Sequence, residues 1–215
     1  IASNLDWEDL ALDQQGNLWV GDIGDNLRWR SSITLYRVPE PDPRSRTTAR
    51  ATAFAFMHPD GPRDAESLLA REGRLFVVSK VEPPEVTTVY AAEPEPHTSL
   101  APPGQSLPAP MSRGTGLKFA FPITGGDVSR DGKRLALTGC DGLYVFVGEG
   151  AVQDLRTNGV RSLRQQPHLL WHKGNGQVEA AGFDGYDVVL TNEQRQLFRV
   201  SARAYENAPQ VNVSP

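Results

Sequence analysis

Thr34-Leu35-Tyr36-Arg37-Val38 is the first of four similar segments in this chain. The others are Thr88-Val89-Tyr90-Ala91-Ala92, Gly142-Leu143-Tyr144-Val145-Phe146 and Gln196-Leu197-Phe198-Arg199-Val200. Their central aromatic residues are spaced 54 residues apart, and four such periods account for the whole chain of 215 residues. Self-similarity at a fixed period of this length is typical of an array of supersecondary units.

Each repeat contains short apolar or alternating runs separated by turn residues, which is the pattern of β-strands. In the first repeat these runs are residues 6–12, 18–20, 33–38 and 49–57. We predict an all-β fold, a β-propeller with four four-stranded blades, because radial repetition leaves only short, protected sheet edges. The single domain spans residues 1–215, with blades at 1–57, 58–122, 123–172 and 173–215. Residues 210–213 are the candidate outer strand of the last blade.

Composition narrows the classes of function. The net charge of −4 gives no basic surface for nucleic acid, and no apolar run is long enough to cross a bilayer. Cys140 is the only cysteine, which excludes an internal disulfide. The chain opens at Ile1 without Met, which we interpret as a processed or trimmed product.

The repeat brings acidic residues together. When the copies are aligned on their third strands, acidic residues fall near equivalent places on the innermost strands, at Glu8, Glu66, Asp127 and Glu179. Because innermost strands line the channel of a propeller, we expect these four groups to converge near the axis. Carboxylates at low dielectric need cations, water or raised pKa values.

A hard divalent ion would balance this charge, and Ca²⁺, which binds six to eight oxygens, is the candidate cofactor. Further oxygen ligands are expected from Asp22 and Asn192, near the ends of second strands. The alternative is that the acids hydrogen-bond backbone amides of neighbouring blades and fix the packing of the blades.

Loops supply the other candidate ligand-binding residues. Gly21-Asp22-Ile23-Gly24-Asp25-Asn26 places carboxylate and amide oxygens in one tight turn, as either a metal loop or an Asx-stabilised turn. Trp29, between Arg28 and Arg30, predicts an exposed contact for an anionic ligand, and Trp7 is a further candidate. Residues 93–113, rich in Pro, Ser and Ala, predict a long rim loop, either a solvated connection or a functional flap.

Two segments resemble known families. Residues 129–136, Ser-Arg-Asp-Gly-Lys-Arg-Leu-Ala, resemble the strand-turn-strand signature of TolB-like bacterial propellers. Residues 6–11, followed by 21–26 and 36–41, look like a group of exported bacterial propellers with no settled activity. That resemblance implies one further blade before Trp7, so either four blades close here or a fifth blade is lost or comes from elsewhere. More distantly, an acidic channel is similar to that of gluconolactonase-like and phytase-like propellers, in which calcium activates water or a substrate oxygen.

Two functions are consistent with these residues. The first is a binding or assembly module that presents a rim to a small molecule or protein, outside the cell or in the periplasm. The second is a calcium-dependent hydrolase of the lactonase or phosphoesterase type, with a channel carboxylate as general base. The sequence favours the first, because no His or Lys stands out as a base.

Overall fold

A computed structural model describes residues 4–94, 107–148, 166–172, 174 and 176–213. It confirms an all-β fold with four mainly antiparallel sheets arranged as a four-bladed propeller. Most of the predicted rim loop, residues 95–106, lies outside the described residues. None of the helices in the described ranges is long and apolar enough to span a membrane.

Blades 1 and 2 come from the first half of the chain. Blade 1 contains β1 (Trp7–Leu12), β2 (Asn17–Asp22), β3 (Ile33–Pro39) and β4 (Thr52–Met57), with the two-residue β8 (Ala109–Pro110) added in parallel to β4. Blade 2 contains β5 (Ala65–Arg71), β6 (Arg74–Ser79), β7 (Thr87–Ala92) and β9 (Ser112–Leu117). The segment after residue 106 therefore touches blade 1 before it completes blade 2.

Blades 3 and 4 complete the array. Blade 3 contains β10 (Gly125–Val128), β11 (Arg134–Thr138), β12 (Gly142–Val147) and β13 (His168–Trp171). Blade 4 contains β14 (Val178–Asp184), β15 (Asp187–Asn192) and β16 (Leu197–Val200), so within the described residues it has three strands where four were predicted.

The predicted outer strand of blade 4 is absent from that position in the described chain. Ser201 follows β16 and caps a short helix, α1 (Ala202–Glu206), by accepting the Ala204 N–H on its hydroxyl. The chain then runs back to blade 3, where Gln210 forms an antiparallel bridge with His168. The C-terminal residues thus fasten blade 4 to blade 3.

Successive blades pack face to face through apolar side chains. We call the two faces of each sheet the forward face, which is directed toward the next blade along the chain, and the backward face, which is directed toward the preceding blade. Forward residues of blade 1 such as Trp19 and Leu35 share a buried cluster with backward residues of blade 2 such as Val77 and Tyr90. The same arrangement joins blade 2 to blade 3 and blade 3 to blade 4. The aromatic residue of each repeat lies on a backward face, which explains its fixed spacing.

The innermost strands surround the axis in the order β1, β5, β10, β14, and each lies against the next. Between β14 and β1 the described residues leave a cleft of about 460 Å³, lined by residues 8–10 on one side and 180–183 on the other. Among the described residues, blades 4 and 1 are therefore separated by a cleft where the other neighbouring blades are packed together.

Candidate functional site

Three of the four innermost strands carry a β-bulge, and a glutamate occupies each bulge. In β1, Trp7 pairs with Asp22 and Asp9 with Gly21, so Glu8 has no partner across the strand. The same irregularity lies at Glu66 in β5 and at Glu179 in β14. A bulge adds one unpaired residue and re-aims its side chain, so three glutamates lie at the same end of the axis.

The predicted equivalence of Asp127 with these glutamates is wrong. Strand β10 has no bulge, and Asp127 pairs regularly with Ala136, further along the strand. Its carboxylate accepts the N–H of Val128 at 2.7 Å and the N–H of Phe183 in β14 at 2.8 Å. Asp127 thus links blade 3 to blade 4. This contact is the alternative given in the sequence analysis, in which an acid hydrogen-bonds a backbone amide of a neighbouring blade.

Asp9 has the same role between blades 1 and 2 and was missed by the sequence analysis. Its two carboxylate oxygens accept the N–H of Leu10 and the N–H of Leu68, each at 2.8 Å. Burial raises its pKa well above the usual range, while these N–H groups oppose the shift. The sequence does show an acidic residue next to Glu8. It does not show the β-bulge at Glu8, which gives the side chains of Glu8 and Asp9 different surroundings.

The three glutamates belong to a charged cluster that we call the upper mouth. Its members are Asp6, Glu8, Asp64, Glu66, Lys80 and Glu179. Lys80 Nζ lies 2.5 Å from Glu66 Oε1, in an ion pair that is largely buried on the Glu66 side. The cluster therefore holds five carboxylic groups and one ammonium.

Burial and mutual repulsion perturb the acids of the upper mouth. Burial and then the Glu66 charge raise the pKa of Glu8 to about 8, and the adjacent Asp6 adds to the shift. Burial raises the pKa of Glu66 to about 7 against the opposing effect of Lys80. Burial also raises the pKa of Glu179. Glu8 and Glu66 consequently exchange protons near neutral pH, where ordinary glutamates are ionised.

Two buried oxygens of the upper mouth lack a hydrogen-bond donor within the described part of the chain, namely Glu66 Oε2 and Glu179 Oε1. Buried polar atoms are normally hydrogen-bonded, and a buried oxygen without a donor points to a bound water, an ion or a functional role. The described residues nevertheless contain no group of three or more His, Cys, Asp or Glu side chains arranged to hold a metal ion. The unpaired oxygens show that the cluster is short of donors.

The other predicted metal ligands lie outside the upper mouth and make structural contacts. Asp22 is 1% exposed, forms an ion pair with Arg30 at 2.8 Å, and accepts the N–H groups of Leu5 and Asp6. Asn192 caps its own turn by accepting the N–H of Gln196 at 2.9 Å. Both side chains fix the chain at the end of a second strand.

The segment 21–26 begins the loop between β2 and β3 of blade 1, is stabilised by an Asx turn, and makes a hydrogen bond to Asp64 next to blade 2. Asp25 accepts the N–H groups of Trp29 and Arg30 at 3.0 and 2.9 Å, and its own N–H donates to Asp64 at 2.8 Å. The Arg30 guanidinium donates to the carbonyl of Gly24 at 2.6 Å. This predicted ligand-binding arginine is therefore engaged in the loop itself, and its side chain is only 10% exposed.

The loop presents Trp29 above a pocket. Trp29 is 75% exposed and Leu27 81% exposed, although the backbone beneath them is held by Asp25. What we call the Trp29 pocket has a volume of about 530 Å³, and its lining includes Leu5, Asp6, Gly24, Leu27, Trp29 and Ser31. Arg28 lies 3.6 Å from Glu85 in an exposed ion pair.

Gly24 separates the Trp29 pocket from the upper mouth. A side chain at this position would press on Glu8 Oε1 and on the Asp6 carboxylate and displace them, so glycine lets both acids approach the loop closely. Asp6 lines the pocket and also hydrogen-bonds Glu8. The pocket and the acidic cluster are thus contiguous. Trp7 lies apart from the pocket lining, against Tyr36 with 6.2 Å between ring centroids.

The comparisons with known proteins concern the fold. No protein-family model matches the chain, and no curated protein matches it. Among solved structures, the chain is similar to the Dos1 propeller, with a TM-score of 0.41 and 14% identity over 96% of this chain and 59% of that chain. It is also similar to a chain in the structure of the Mitotic Checkpoint Complex, with a TM-score of 0.41 and 12% identity over 96% of this chain and 62% of that chain. The chain therefore spans about three fifths of the length of these two chains, and the likeness is one of fold alone.

Proposed function

We propose that this propeller is a binding module for an organic cation, whose ammonium group lies in the upper mouth and whose apolar part occupies the Trp29 pocket. The observation that carries the proposal is the pair of buried oxygens, Glu66 Oε2 and Glu179 Oε1, without donors beside a lysine ammonium. An ammonium group offers several N–H donors and a positive charge in one small volume. An ammonium group would therefore donate hydrogen bonds to the two glutamate oxygens that have no donor.

The neighbouring pocket suits the rest of such a ligand. Its rim carries the exposed side chains of Leu27 and Trp29, and its wall carries Asp6. A tryptophan face attracts cations as well as apolar groups. Because Asp25 and Arg30 hold the loop, little conformational entropy is lost when a ligand orders Trp29. We therefore expect ligands with an amine and an aromatic or aliphatic body.

Calcium is the alternative cation. Three bulge glutamates could supply oxygen ligands, but no described group of three acids has the arrangement that a metal ion needs. Asp22, Asp127 and Asn192 already bind backbone or side-chain partners. Calcium would have to rearrange the upper mouth before it could bind, whereas an ammonium repeats the interaction that Lys80 already makes with Glu66.

The test compares 2-phenylethylamine with 2-phenylethanol, which has the same shape without the charge. We expect the amine to bind at least about tenfold more tightly in calorimetric titration at pH 8, which corresponds to one charge-assisted hydrogen bond. Glu8→Gln should remove most of this preference. Trp29→Ala should weaken both compounds, whereas Trp171→Ala, a second partly exposed tryptophan in blade 3, should change neither.

The pH dependence of binding gives an independent readout. The pKa of Glu8 is raised to about 8 and that of Glu66 to about 7, so both lose protons as the pH rises from 6 to 9. The affinity for the amine should therefore increase over this range, while that for the alcohol stays constant. Equal binding of the two compounds, or an amine affinity independent of pH, would contradict the proposal. Competition by CaCl₂ would show that the site accepts either cation.

A calcium-dependent hydrolase is the second candidate, and one observation favours it. A pKa of about 7 at Glu66 suits a general base that works near neutral pH. A panel of lactones and phosphoesters should then be turned over only with Ca²⁺, and Glu66→Gln should abolish the turnover. Absence of turnover with Ca²⁺ present would exclude this function for those substrates.

We also propose that the chain belongs with exported bacterial propellers and acts in the periplasm or outside the cell. The support is the resemblance of residues 6–11 and 129–136 to that group. Fractionation of the cells that produce the protein tests this: recovery in the cytoplasmic fraction alone would contradict it.

A further inference from the structure

The cleft between blades 4 and 1, which we call the seam cleft, exposes apolar surface that another pair of blades covers. Its volume of about 460 Å³ lies within the range of small-molecule sites. Leu10 of β1 forms part of one wall and is 56% exposed. Leu68 occupies the equivalent place in β5, two residues after the bulge glutamate, and is completely buried between blades 1 and 2.

The opposite wall, on blade 4, is built from small side chains. Ala180 pairs with Thr191 and Gly182 pairs with Val189, and all four residues line the seam cleft. Gly182 lies within the strand β14, and a methyl group added to it would have no neighbour within 4 Å. This glycine therefore widens the cleft beside Val189 and leaves room for a slender apolar group.

The charged groups of the seam cleft lie at the end nearest the axis. They are Glu8, a member of the upper mouth, and Asp9, whose carboxylate already accepts two backbone N–H groups. Apart from Thr191, the remaining lining is apolar: Leu10, Ala180, Ala181, Gly182, Phe183 and Val189. A molecule with complementary charge would place a cation beside Glu8 and an apolar group along Leu10 and Val189.

Glu8 also borders the Trp29 pocket. Its Oε1 atom lies against Gly24, which lines that pocket together with Asp6, and Asp6 hydrogen-bonds Glu8. The acids of the upper mouth are thus flanked by two cavities with apolar walls. The Trp29 pocket adjoins them on the side of Asp6, and the seam cleft adjoins them on the side of Glu8.

We propose that the ligand of the upper mouth is a secondary ammonium ion, with one apolar arm in the Trp29 pocket and a second arm, an alkyl chain, in the seam cleft. The second arm rests on the organic-cation function proposed above and names its ligand class. A secondary ammonium keeps two N–H donors, and two buried oxygens of the upper mouth, Glu66 Oε2 and Glu179 Oε1, lack a donor among the described residues. A primary ammonium has one arm and would leave the wall at Leu10 uncovered.

The test adds one alkyl chain to the nitrogen of 2-phenylethylamine and measures both amines by calorimetric titration at pH 8. A fully buried methylene group improves affinity by about fourfold. Because the seam cleft covers a butyl chain only in part, N-butyl-2-phenylethylamine should bind at least about tenfold more tightly than the parent amine. N-butyl-N-methyl-2-phenylethylamine lacks one N–H donor and should bind at least about tenfold more weakly than the secondary amine.

Two variants change the seam cleft from opposite walls. Gly182→Val fills the space beside Val189 with a residue that strands favour, and it should abolish the gain from the butyl chain. Leu10→Ala removes apolar contact and should reduce that gain to less than about threefold. Leu107→Ala is the matched control, because this leucine is 92% exposed and precedes β8 at the outer edge of blade 1. Unchanged binding of 2-phenylethylamine shows that each variant is folded.

The outcomes separate the second arm from the amine site itself. If 2-phenylethylamine binds but the butyl chain adds no affinity, or if Gly182→Val retains the gain, the seam cleft is not part of the site and the organic-cation function stands without it. A tertiary amine that binds as tightly as the secondary amine would overturn the ligand class. If neither 2-phenylethylamine nor its butyl derivative binds, the proposed function fails and the second arm fails with it.

Discussion

Asp22→Ala is expected to lower the free energy of unfolding by about 3 to 5 kcal/mol, because it removes one partner of a buried ion pair. Asp22 is 1% exposed and the Arg30 side chain 10% exposed, with 2.8 Å between their charged atoms. The substitution leaves the guanidinium without its counter-charge and releases the N–H groups of Leu5 and Asp6. Urea unfolding of the native chain and the variant measures the loss.

Asp184→Ala provides the control for this experiment. Asp184 is paired with Arg199, but both side chains are at least half exposed. Exposed ion pairs are screened by water and contribute little to stability, so this variant should be nearly as stable as the native chain. If both variants lost the same free energy of unfolding, the buried ion pair between Asp22 and Arg30 would stabilise the fold no more than an exposed one.

Asp9→Ala is expected to lower the free energy of unfolding by about 2 to 4 kcal/mol. The carboxylate accepts one N–H from its own strand and one from Leu68 in the next blade, and Gly126 of blade 3 adds a third. Alanine leaves these buried donors without an acceptor. Thermal and urea unfolding should both show the loss.

Asp42→Ala is the matched control for Asp9→Ala. Asp42 also accepts a backbone N–H, that of Arg44 at 2.9 Å, but in an exposed turn where water can replace it. The cost there should stay below about 1 kcal/mol. If Asp9→Ala cost no more than Asp42→Ala, the contact between blades 1 and 2 at the axis would not depend on this carboxylate.

The fold could be predicted from the sequence because one aromatic position recurs in every blade. Tyr90, Tyr144 and Phe198 lie on backward faces and pack on the preceding blade, which favours an aromatic residue at this position; Tyr36 occupies the same position in blade 1 and contacts Trp7. The outer strand of blade 4 could not be predicted correctly. Residues 210–213 have the composition of an edge strand, and only the capped turn at Ser201 directs them back to blade 3.

The candidate site was predicted in part. Glu8, Glu66 and Glu179 were found because the repeat places them near the start of the innermost strands. Asp127 was grouped with them because counting residues cannot show which strands contain a bulge. The buried position of Arg30 could not be predicted either, since Arg28 and Arg30 flank Trp29 symmetrically and only the capped loop distinguishes them.

The bulges also bear on how such a site can evolve. Each glutamate of the upper mouth is one extra residue in a strand whose remaining pairs are regular. Deletion of that residue would restore a regular strand such as β10, and a single insertion would add a carboxylate to a blade that lacks one. The number of acidic groups at the axis can therefore change one blade at a time while the packing between blades is retained.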